Sequence, residues 1–519
     1  MNHRVLISLV NELMNNKIIK NVGVILGCSI VAKVLSYIWE ATLAAFLGAS
    51  DQADAFYMTT SIFGILYPIL DLGIWKVFLP AYKKMLVEKK ESDAERIANI
   101  SITLFFVLSI ALVIFLIVFA QPLVAVMASG FDSDKRKITI EYLRISAPTY
   151  LLMAASSVVG AMLQSREKFL GSQIREIGTH ISKIIFVIIC FRFLNIYAAV
   201  IAMIVGSIFR LLIQLPFINW KWKFRFDFHF KDKEILPMIK GLPSVAVTAA
   251  IVHINGLVDK MVASGAVTGA VACLNYGNKL MNVFSGMIST AISTAVYPNM
   301  IQCITNKEEG HLRRLLTKVI SSLLFCIIPI SIFCLVFSSQ LVSVAFERGA
   351  FDSSATEITA EVFVGYSLGM LFIGIASVVT NVFYGYGDTK ITMNVSLIEI
   401  VLNIIFDLMF VQIFGVAGLA FATSISAAIC LCIRFLLLKK YIRISLKSIS
   451  FEGLKILAIS TISAFIPYIL ITNFLDVNKY ISIILCAILF GTLYIGLALI
   501  LHIETLYYLK NLFYERLHK

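Results

Sequence analysis

The sequence predicts an all-α, polytopic membrane protein of about fourteen transmembrane helices. We expect two parallel six-helix lobes around a central cavity, followed by two C-terminal helices. The first observation is composition: 59% of the 519 residues are hydrophobic and 14% are charged, whereas a soluble domain carries roughly 25% charged residues. Residues 100–120 and 482–501 contain no charge, and each stretch can cross a ~30 Å hydrocarbon core as a helix.

The second observation is an internal repeat. The segment FDSDKRKITIEYL begins at Phe131, and FDSSATEITAEVF begins 220 residues later, at Phe351. Without gaps, ten residues of 131–159 are identical to their counterparts in 351–379. A repeat of this length indicates two copies of one structural unit.

The apolar stretches predict the spans in order along the chain. The first copy of the repeat enters the fourth span and the second copy enters the tenth. Because an even number of spans separates them, both copies cross in the same direction, and the halves are parallel repeats. The predicted spans are 21–47, 54–82, 97–119, 138–164, 170–193, 196–219, 235–263, 268–300, 312–337, 355–385, 389–412, 416–440, 452–473 and 480–502.

The third observation is that Lys and Arg concentrate in every second loop, such as 83–96, 306–314 and 439–447. The positive-inside rule therefore places both termini in the cytoplasm. The main exception is the run from Lys135 to Lys137. We attribute the formal charge of +13 to topology and to contact with anionic membrane lipids.

The longest polar break in the middle of the chain, 221–233, is the predicted cytoplasmic linker between lobes. It separates an N-terminal lobe, 1–220, from a C-terminal lobe, 234–441; the last two helices and a cytoplasmic tail occupy 442–519. Alternating basic and aromatic residues in the linker could bind single-stranded nucleic acid. Between two spans, however, they are typical of an interfacial belt, and we expect no nucleic-acid partner.

No enzyme motif stands out. The chain contains no GxxxxGK[ST] phosphate loop, no HExxH pair and no Cys/His constellation, and its nine cysteines lie singly in apolar stretches. We therefore expect a protein that is not an enzyme.

Ionisable residues within spans are costly in hydrocarbon and normally face a cavity or a partner. Lys33 and Glu40 are seven residues apart and share one face of the first span. Asp54 opens the second span, and Lys279 lies in the eighth. Structural ion pairs and snorkelling are the alternative to a functional role, and they are favoured for Lys76, Lys183 and Arg434.

A weaker candidate is a cation site in the second half. Asn403 and Asp407 are four residues apart, on one face of the eleventh span, and a short turn leads to Thr423 in the twelfth. Carboxylate, amide and hydroxyl oxygens suit a hard cation, but a hydrogen-bond cluster between helices is equally compatible with these residues.

Several segments resemble the MurJ/MviN lipid II flippases of the multidrug/oligosaccharidyl-lipid/polysaccharide exporter superfamily. The resemblance implies a fourteen-helix fold with two six-helix lobes. It also implies a substrate, undecaprenyl-pyrophosphate carrying a disaccharide-pentapeptide, which moves from the inner to the outer leaflet by alternating access. The segments are LGASDQADAFY (47–57), LPSVAVTAAIVHINGLVDKMVASG (242–265), LNYGNKLMNVFSG (274–286), FERGAFD (346–352), FYGYGDTK (383–390) and GVAGLAFATS (415–424).

The resemblance also assigns roles to residues. It implies substrate-binding roles for Lys33, Glu40, Asp54 and Lys279, and we expect both acids to pair with Lys33 when no substrate is bound. The ligands of the sodium ion that some members bind fall on Asp259, Asn403, Asp407 and Thr423. We expect no other cofactor. The expected partners are the lipid-linked glycan and membrane lipids, with cell-wall synthesis proteins as candidates, and we expect a monomer.

The chain departs from the family pattern at two cationic positions. Trp39 replaces the arginine that usually precedes the acid of the first helix, and an arginine of the second helix falls near Tyr67. A less cationic cavity leaves open a flippase for another lipid-linked polysaccharide unit. A cation-coupled multidrug extruder and a non-transporting scaffold for glycan synthases are the further alternatives.

Overall fold

The structure, a computed structural model, describes residues 16–218, 222–474 and 478–508. The start of the predicted N-terminal lobe and the end of the predicted C-terminal tail lie outside this range. The described residues form eighteen α-helices: α1 (Asn16–Leu47), α2 (Asp51–Gly73), α3 (Leu79–Val87), α4 (Glu91–Val118), α5 (Ala120–Met127), α6 (Ser133–Ser146), α7 (Thr149–Ser165), α8 (Phe169–Leu194), α9 (Tyr197–Leu212), α10 (Ile235–Ala263), α11 (Ala270–Thr305), α12 (Glu309–Val336), α13 (Ser338–Phe346), α14 (Ser353–Gly385), α15 (Thr389–Phe414), α16 (Val416–Leu438), α17 (Leu446–Phe474) and α18 (Lys479–Ile500).

The predicted fold class, an all-α polytopic membrane protein, is confirmed. Among the described residues, 11 helices are long and apolar enough to cross a membrane, or 12 if one bent pair counts as a single span. The helices α10 and α11 have 29 and 36 residues, which also exceeds the ~20 residues that a span needs. The total of fourteen spans stays a prediction.

The repeated FDS segment is a helix N-terminus in both halves. The carboxylate of Asp132 accepts hydrogen bonds from the backbone N–H groups of Asp134 and Lys135. Asp352 accepts one from the N–H of Ala355 at 2.8 Å. The first turn of a helix leaves such N–H groups without partners, and an N-cap aspartate satisfies them. The sequence match therefore reflects the same helix start used twice.

The two copies differ in one respect. The predicted fourth span is a broken helix, because α6 and α7 meet at an angle of 41°. Pro148 lies at the junction, where it removes a backbone donor and its ring excludes a continuous helix. The counterpart in the second half is Leu368, and α14 there continues through 33 residues. The predicted span 138–164 therefore corresponds to the bent pair α6 and α7.

Contacts divide the chain into two compact units. The first consists of Asp51–Leu257 and the residues up to Leu47; the second consists of the residues from Val258 onward together with Gly48–Ser50. The division falls within α10, because the beginning of this helix packs in the first unit. Lys84 Nζ, for example, lies 3.2 Å from Glu234 Oε1. The lobe boundary at 221–233 stays a prediction.

The last two helices, α17 and α18, belong to the second unit. They pack against α12 and against each other. Their shared core contains buried side chains from all three helices: Phe333, Phe337, Ala464, Ile483, Cys486 and Phe490.

In the second unit, the loop Gly48–Ser50 lies directly against Gly269, which precedes α11. Gly269 has a φ of +83°, and a Cβ at this position would lie 2.3 Å from the carbonyl oxygen of Ala49. We expect Gly269→Ala to lower the thermal unfolding midpoint for two reasons. The positive φ imposes a strain of about 1–2 kcal/mol on an alanine, and the new methyl group also forces backbone atoms of the loop to move.

Gly387 offers a matched control, because its φ is +76° and no atom lies within 4 Å of its Cβ position. Gly387→Ala should therefore lower the unfolding midpoint only by the effect of backbone strain, and so by less than Gly269→Ala. Equal midpoints for the two variants in detergent would contradict the proposed packing of the loop against Gly269.

Candidate substrate and cation sites

The four predicted substrate residues are divided between the two units. In the first unit, Lys33 is an exposed residue of α1. Glu40, two turns further along the helix, is 5% exposed. The Tyr57 hydroxyl donates a 2.8 Å hydrogen bond to Glu40 Oε2. Within the described residues, Lys33 makes no ion pair, so the expected pairing of Glu40 with Lys33 was wrong.

Asp54 is also paired with a different cation. Its side chain is 1% exposed, and its Oδ2 atom lies 3.3 Å from Lys135 Nζ. The same ammonium lies 2.6 Å from Asp51 Oδ1. Lys135 reaches both acids because α6 packs against α2, whereas Lys33 is on α1. The expected pairing of Asp54 with Lys33 was therefore also wrong.

These contacts explain why the basic run from Lys135 to Lys137 is an exception to the concentration of Lys and Arg in every second loop. Lys135 is buried between two acids, Lys137 lies 3.1 Å from Asp134, and Arg136 donates to the carbonyl of Ser129. Each cation of this run thus has a local partner. Lys135 in particular has a structural role, because its ammonium lies between the two acids.

Replacing Lys135 with methionine should destabilise the first unit by about 2 kcal/mol, because it leaves Asp54 buried without its cation. The loss of stability should be smaller than for a fully buried ion pair, because Asp51, the other partner of Lys135, is half exposed and stays hydrated. The thermal unfolding midpoint should recover when Asp54→Asn is combined with the Lys135 substitution. Lys137→Met is the control: its ion pair is exposed, so we expect a change within about 0.5 kcal/mol. No recovery in the double variant would contradict this pairing.

In the second unit, the four predicted sodium ligands converge. Thr423 Oγ1 donates to Asp259 Oδ2, Asn403 Nδ2 donates to Thr423 Oγ1, and Asn403 Nδ2 also contacts Asp407 Oδ1, each at 3.4 Å. The two carboxyl groups are close enough to interact directly. Helices α10, α15 and α16 therefore meet at one polar cluster.

The chemistry of this cluster fits a monovalent hard cation. Asn403 and Asp407 are fully buried, and Asp259 is 4% exposed. Asp407 Oδ2 is buried and accepts no hydrogen bond from the described residues. Two adjacent buried carboxylates repel each other unless a proton or a cation lies between them. The described residues contain no group of three His, Cys, Asp or Glu side chains that could hold a metal, so amide and hydroxyl oxygens would have to complete the set.

Lys279 belongs to α11 in the second unit. Its side chain is half-buried and takes part in contacts there. One turn earlier, Asn275 Oδ1 accepts a hydrogen bond from Lys260 Nζ at 3.2 Å. The role of Lys279 toward a substrate stays a prediction.

The sequence analysis did not identify a polar network in the first unit, between α2, α7, α8 and α9. The carboxylate of Asp71 accepts hydrogen bonds from Tyr67 at 2.8 Å, Ser157 at 2.5 Å and Trp75 at 3.2 Å. Ser157 is one of the repeated residues, and its counterpart Ser377 likewise contacts Ser293 on α11 at 3.0 Å. The repeated serine thus joins equivalent helices in both halves.

Two arginines complete this network. Arg210 donates to the hydroxyl of Tyr67 and, at 2.8 Å, to Glu176. The guanidinium of Arg175 lies over the Trp75 ring, 5.0 Å from its centroid. Both arginines are buried. The sequence does contain a signal for this network, because both arginines are charged residues within the predicted spans 170–193 and 196–219.

Comparison with known proteins decides the family. A family model described as lipid II flippase MurJ matches residues 43–498. The chain belongs to the MurJ family. Curated MurJ relatives include a probable lipid II flippase of Buchnera aphidicola from Acyrthosiphon pisum, 24% identical over 508 residues, which is 94% of this chain and 97% of the relative. Another, from Rickettsia prowazekii, is 24% identical over 78% of this chain and 81% of its own length.

Solved structures support the MurJ fold. A lipid II flippase MurJ in an inward closed conformation matches with a TM-score of 0.78 at 22% identity, covering 92% of this chain and 98% of that one. A multidrug resistance MATE transporter of the MOP superfamily matches with a TM-score of 0.66 at 14% identity, covering 78% and 93%. The family expected from the sequence motifs is confirmed.

Proposed function

We propose that this protein translocates lipid II, a polyprenyl-pyrophosphate-linked glycan, from the inner to the outer leaflet of the bacterial cytoplasmic membrane. The observation that carries the proposal is the family match over 43–498, which includes both halves of the repeat and most of the last two helices. The multiple apolar helices agree with an integral membrane transporter.

The physical problem is the head group. Pyrophosphate and sugars lose their hydrogen bonds to water in hydrocarbon, and an unpaired charge there is very costly. A hydrated cavity can hold the head group while the lipid tail stays in the bilayer. Motion of the two lobes would then change the side to which the cavity opens.

Lys33 and Lys279 are the proposed partners of the pyrophosphate. Each lysine would supply a point charge with three N–H donors, although it lacks the two-pronged geometry of arginine. Lys33 is exposed and makes no ion pair within the described residues, so its charge is available to a ligand. Glu40 and Asp54 would act indirectly, by shaping the helices around the lysine, since they contact Tyr57 and Lys135.

Asp259, Asn403, Asp407 and Thr423 would hold a sodium ion, whose charge would offset the two carboxylates. These residues connect α10 to α15 and α16. A change in their spacing would therefore accompany any movement of α10. Coupling to transport requires that ion affinity differ between the two arrangements of the lobes, because a ligand that binds both equally shifts neither.

Rescue of a depleted cell tests the proposed function. In a host whose own lipid II flippase is switched off, expression of this chain should restore growth and stop the accumulation of lipid II in the inner leaflet. A chain that carries both Lys33→Ala and Lys279→Ala should be present in the membrane at equal amount and should not rescue. Rescue by this double variant would favour a scaffold for glycan synthases, and no rescue by the unaltered chain would favour another lipid-linked glycan.

A further inference from the structure

The segment 222–230, between α9 and α10, is an extended chain that lies along α4. The backbone N–H of Arg225 donates to Asn99 Oδ1 at 3.4 Å, and that of Asp227 donates to Thr103 Oγ1 at 3.0 Å. Four residues of a helix advance about 6 Å, and two residues of extended chain advance about 6.6 Å. The two hydrogen bonds therefore match an extended backbone that runs parallel to the helix surface.

Alternation places the aromatic residues of this segment on one face. Consecutive rings of Trp222, Phe224, Phe226, Phe228 and Phe230 have centroids 5.0 to 6.4 Å apart. The three central phenylalanines are 42%, 58% and 62% exposed. Phe226 also contacts Phe106 of α4. The result is an exposed aromatic ladder attached to a membrane-spanning helix.

The charged residues around the ladder leave an excess of positive charge. The acids are engaged locally: Asp227 contacts His229 at 2.5 Å, Asp232 contacts Arg96 at 2.7 Å, and Glu234 contacts Lys84. Four exposed cations make no ion pair within the part of the chain that the structure describes. They are Lys223, Arg225, Lys231 and Lys233.

A further polar group in the segment lacks an acceptor. The indole nitrogen of Trp222 is buried and makes no hydrogen bond to any residue that the structure describes. Trp222 borders a pocket that is lined mainly by apolar residues, including Val159, Leu163 and Phe217, and also by Glu95 and by Arg166, which pairs with Glu91. An indole ring at such a mixed surface is typical of the boundary between acyl chains and head groups.

We propose that the segment 222–230 binds anionic phospholipid of the leaflet that surrounds this end of α4. The aromatic ladder enters the boundary between head groups and acyl chains. The unpaired cations contact lipid phosphates. The segment's attachment to a spanning helix favours a lipid ligand over a nucleic acid, although both present phosphates.

Hydrogen–deuterium exchange of the full-length protein in nanodiscs tests this proposal. Phosphatidylglycerol in a phosphatidylcholine disc should slow exchange in the 222–230 peptide relative to phosphatidylcholine alone. Each surface Lys or Arg is worth about 1 kcal/mol toward an anionic membrane, or roughly fivefold in affinity. The charge reversal K223E/R225E/K231E should therefore lower the apparent affinity of the 222–230 segment for phosphatidylglycerol by a factor of about a hundred or more.

A matched control changes the same charge elsewhere. Lys307, Arg313 and Arg314 are exposed cations in the polar turn and first residues of α12, with no aromatic ladder. The variant K307E/R313E/R314E should keep the lipid-dependent protection of the 222–230 peptide. Equal loss in both variants would overturn the proposal, because net charge alone would then explain lipid binding.

Two further outcomes would overturn it as well. One is equal protection in phosphatidylcholine and phosphatidylglycerol discs, which would mean that no anionic lipid is recognised. The other concerns a single-stranded oligonucleotide, added to phosphatidylcholine discs at the same phosphate concentration. If it protects the 222–230 peptide as much as phosphatidylglycerol does, or more, the segment prefers nucleic acid. Unchanged exchange in α4 and α10 shows that each variant is folded.

Discussion

Replacing Lys33 or Lys279 with alanine should abolish transport of the lipid-linked substrate. Removing one partner of a desolvated charge pair costs about 2–5 kcal/mol, which corresponds to a loss on the order of a hundredfold or more in rate at limiting substrate. Translocation by purified variants in proteoliposomes measures this loss. Arginine at either position should keep part of the activity, because it keeps the charge.

Lys76 provides the matched control for this prediction. It is an exposed cation in the π-helical turn that follows α2, and the sequence analysis assigned it a structural role. Lys76→Ala should transport at nearly the rate of the unaltered protein. Normal transport by both Lys33→Ala and Lys279→Ala would show that these two lysines are structural and that the anion site lies elsewhere.

Replacing Asp407 with asparagine should abolish any stabilisation of the protein by sodium. A ligand that binds only the folded state stabilises it by about 2.7 kcal/mol at a hundred times its dissociation constant. The unaltered protein should thus have a higher thermal unfolding midpoint in sodium chloride than in choline chloride. Without sodium, the asparagine variant should be at least as stable as the unaltered protein, because it removes the repulsion between two buried carboxyl groups.

Glu399 on the same helix provides the control. It accepts a 2.7 Å hydrogen bond from Arg434, lies one turn before Asn403 and is not one of the four proposed ligands. Glu399→Gln should lower stability in both salts and keep the response to sodium. If the unaltered protein has equal midpoints in sodium and choline, Asn403 and Asp407 belong to a hydrogen-bond cluster between helices.

Much of the architecture could be predicted because membrane spans and N-caps are local properties. Apolar length identifies a helix that can cross a bilayer, and Asp132 and Asp352 cap equivalent helices because the cap needs only one side chain and the following turn. The bend at Pro148 could also have been anticipated, since the second copy of the repeat has Leu368 at the same place.

The pairing of charged residues could not be predicted in the same way. Lys33 and Glu40 share a helix face, but only the packing of α8 on α1 and of α6 on α2 decides which partner each group reaches. Lys135 therefore took the place expected for Lys33 beside Asp54. The convergence of Asp259 with Asp407 was expected only from family resemblance, because 148 residues separate them in the sequence.

The network around Asp71 illustrates a different difficulty. Arg175 and Glu176 are adjacent in α8, and Arg210 is a single charge in α9. Their link to α2 appears only when these helices pack, because Arg210 then donates both to Glu176 and to the hydroxyl of Tyr67. Tyr67 lies near the position at which the family resemblance places an arginine, and it has a cation beside it, Arg210, supplied by a different helix.

The central claim is that this chain alone moves the lipid-linked peptidoglycan precursor across a bilayer. The most direct measurement uses the purified protein in liposomes that contain a fluorescent lipid II, with a membrane-impermeant quencher outside. We predict that the protected inner-leaflet fraction becomes accessible at a rate that increases with the amount of protein. No gain over protein-free liposomes, while a MurJ relative is active in parallel, would contradict the account.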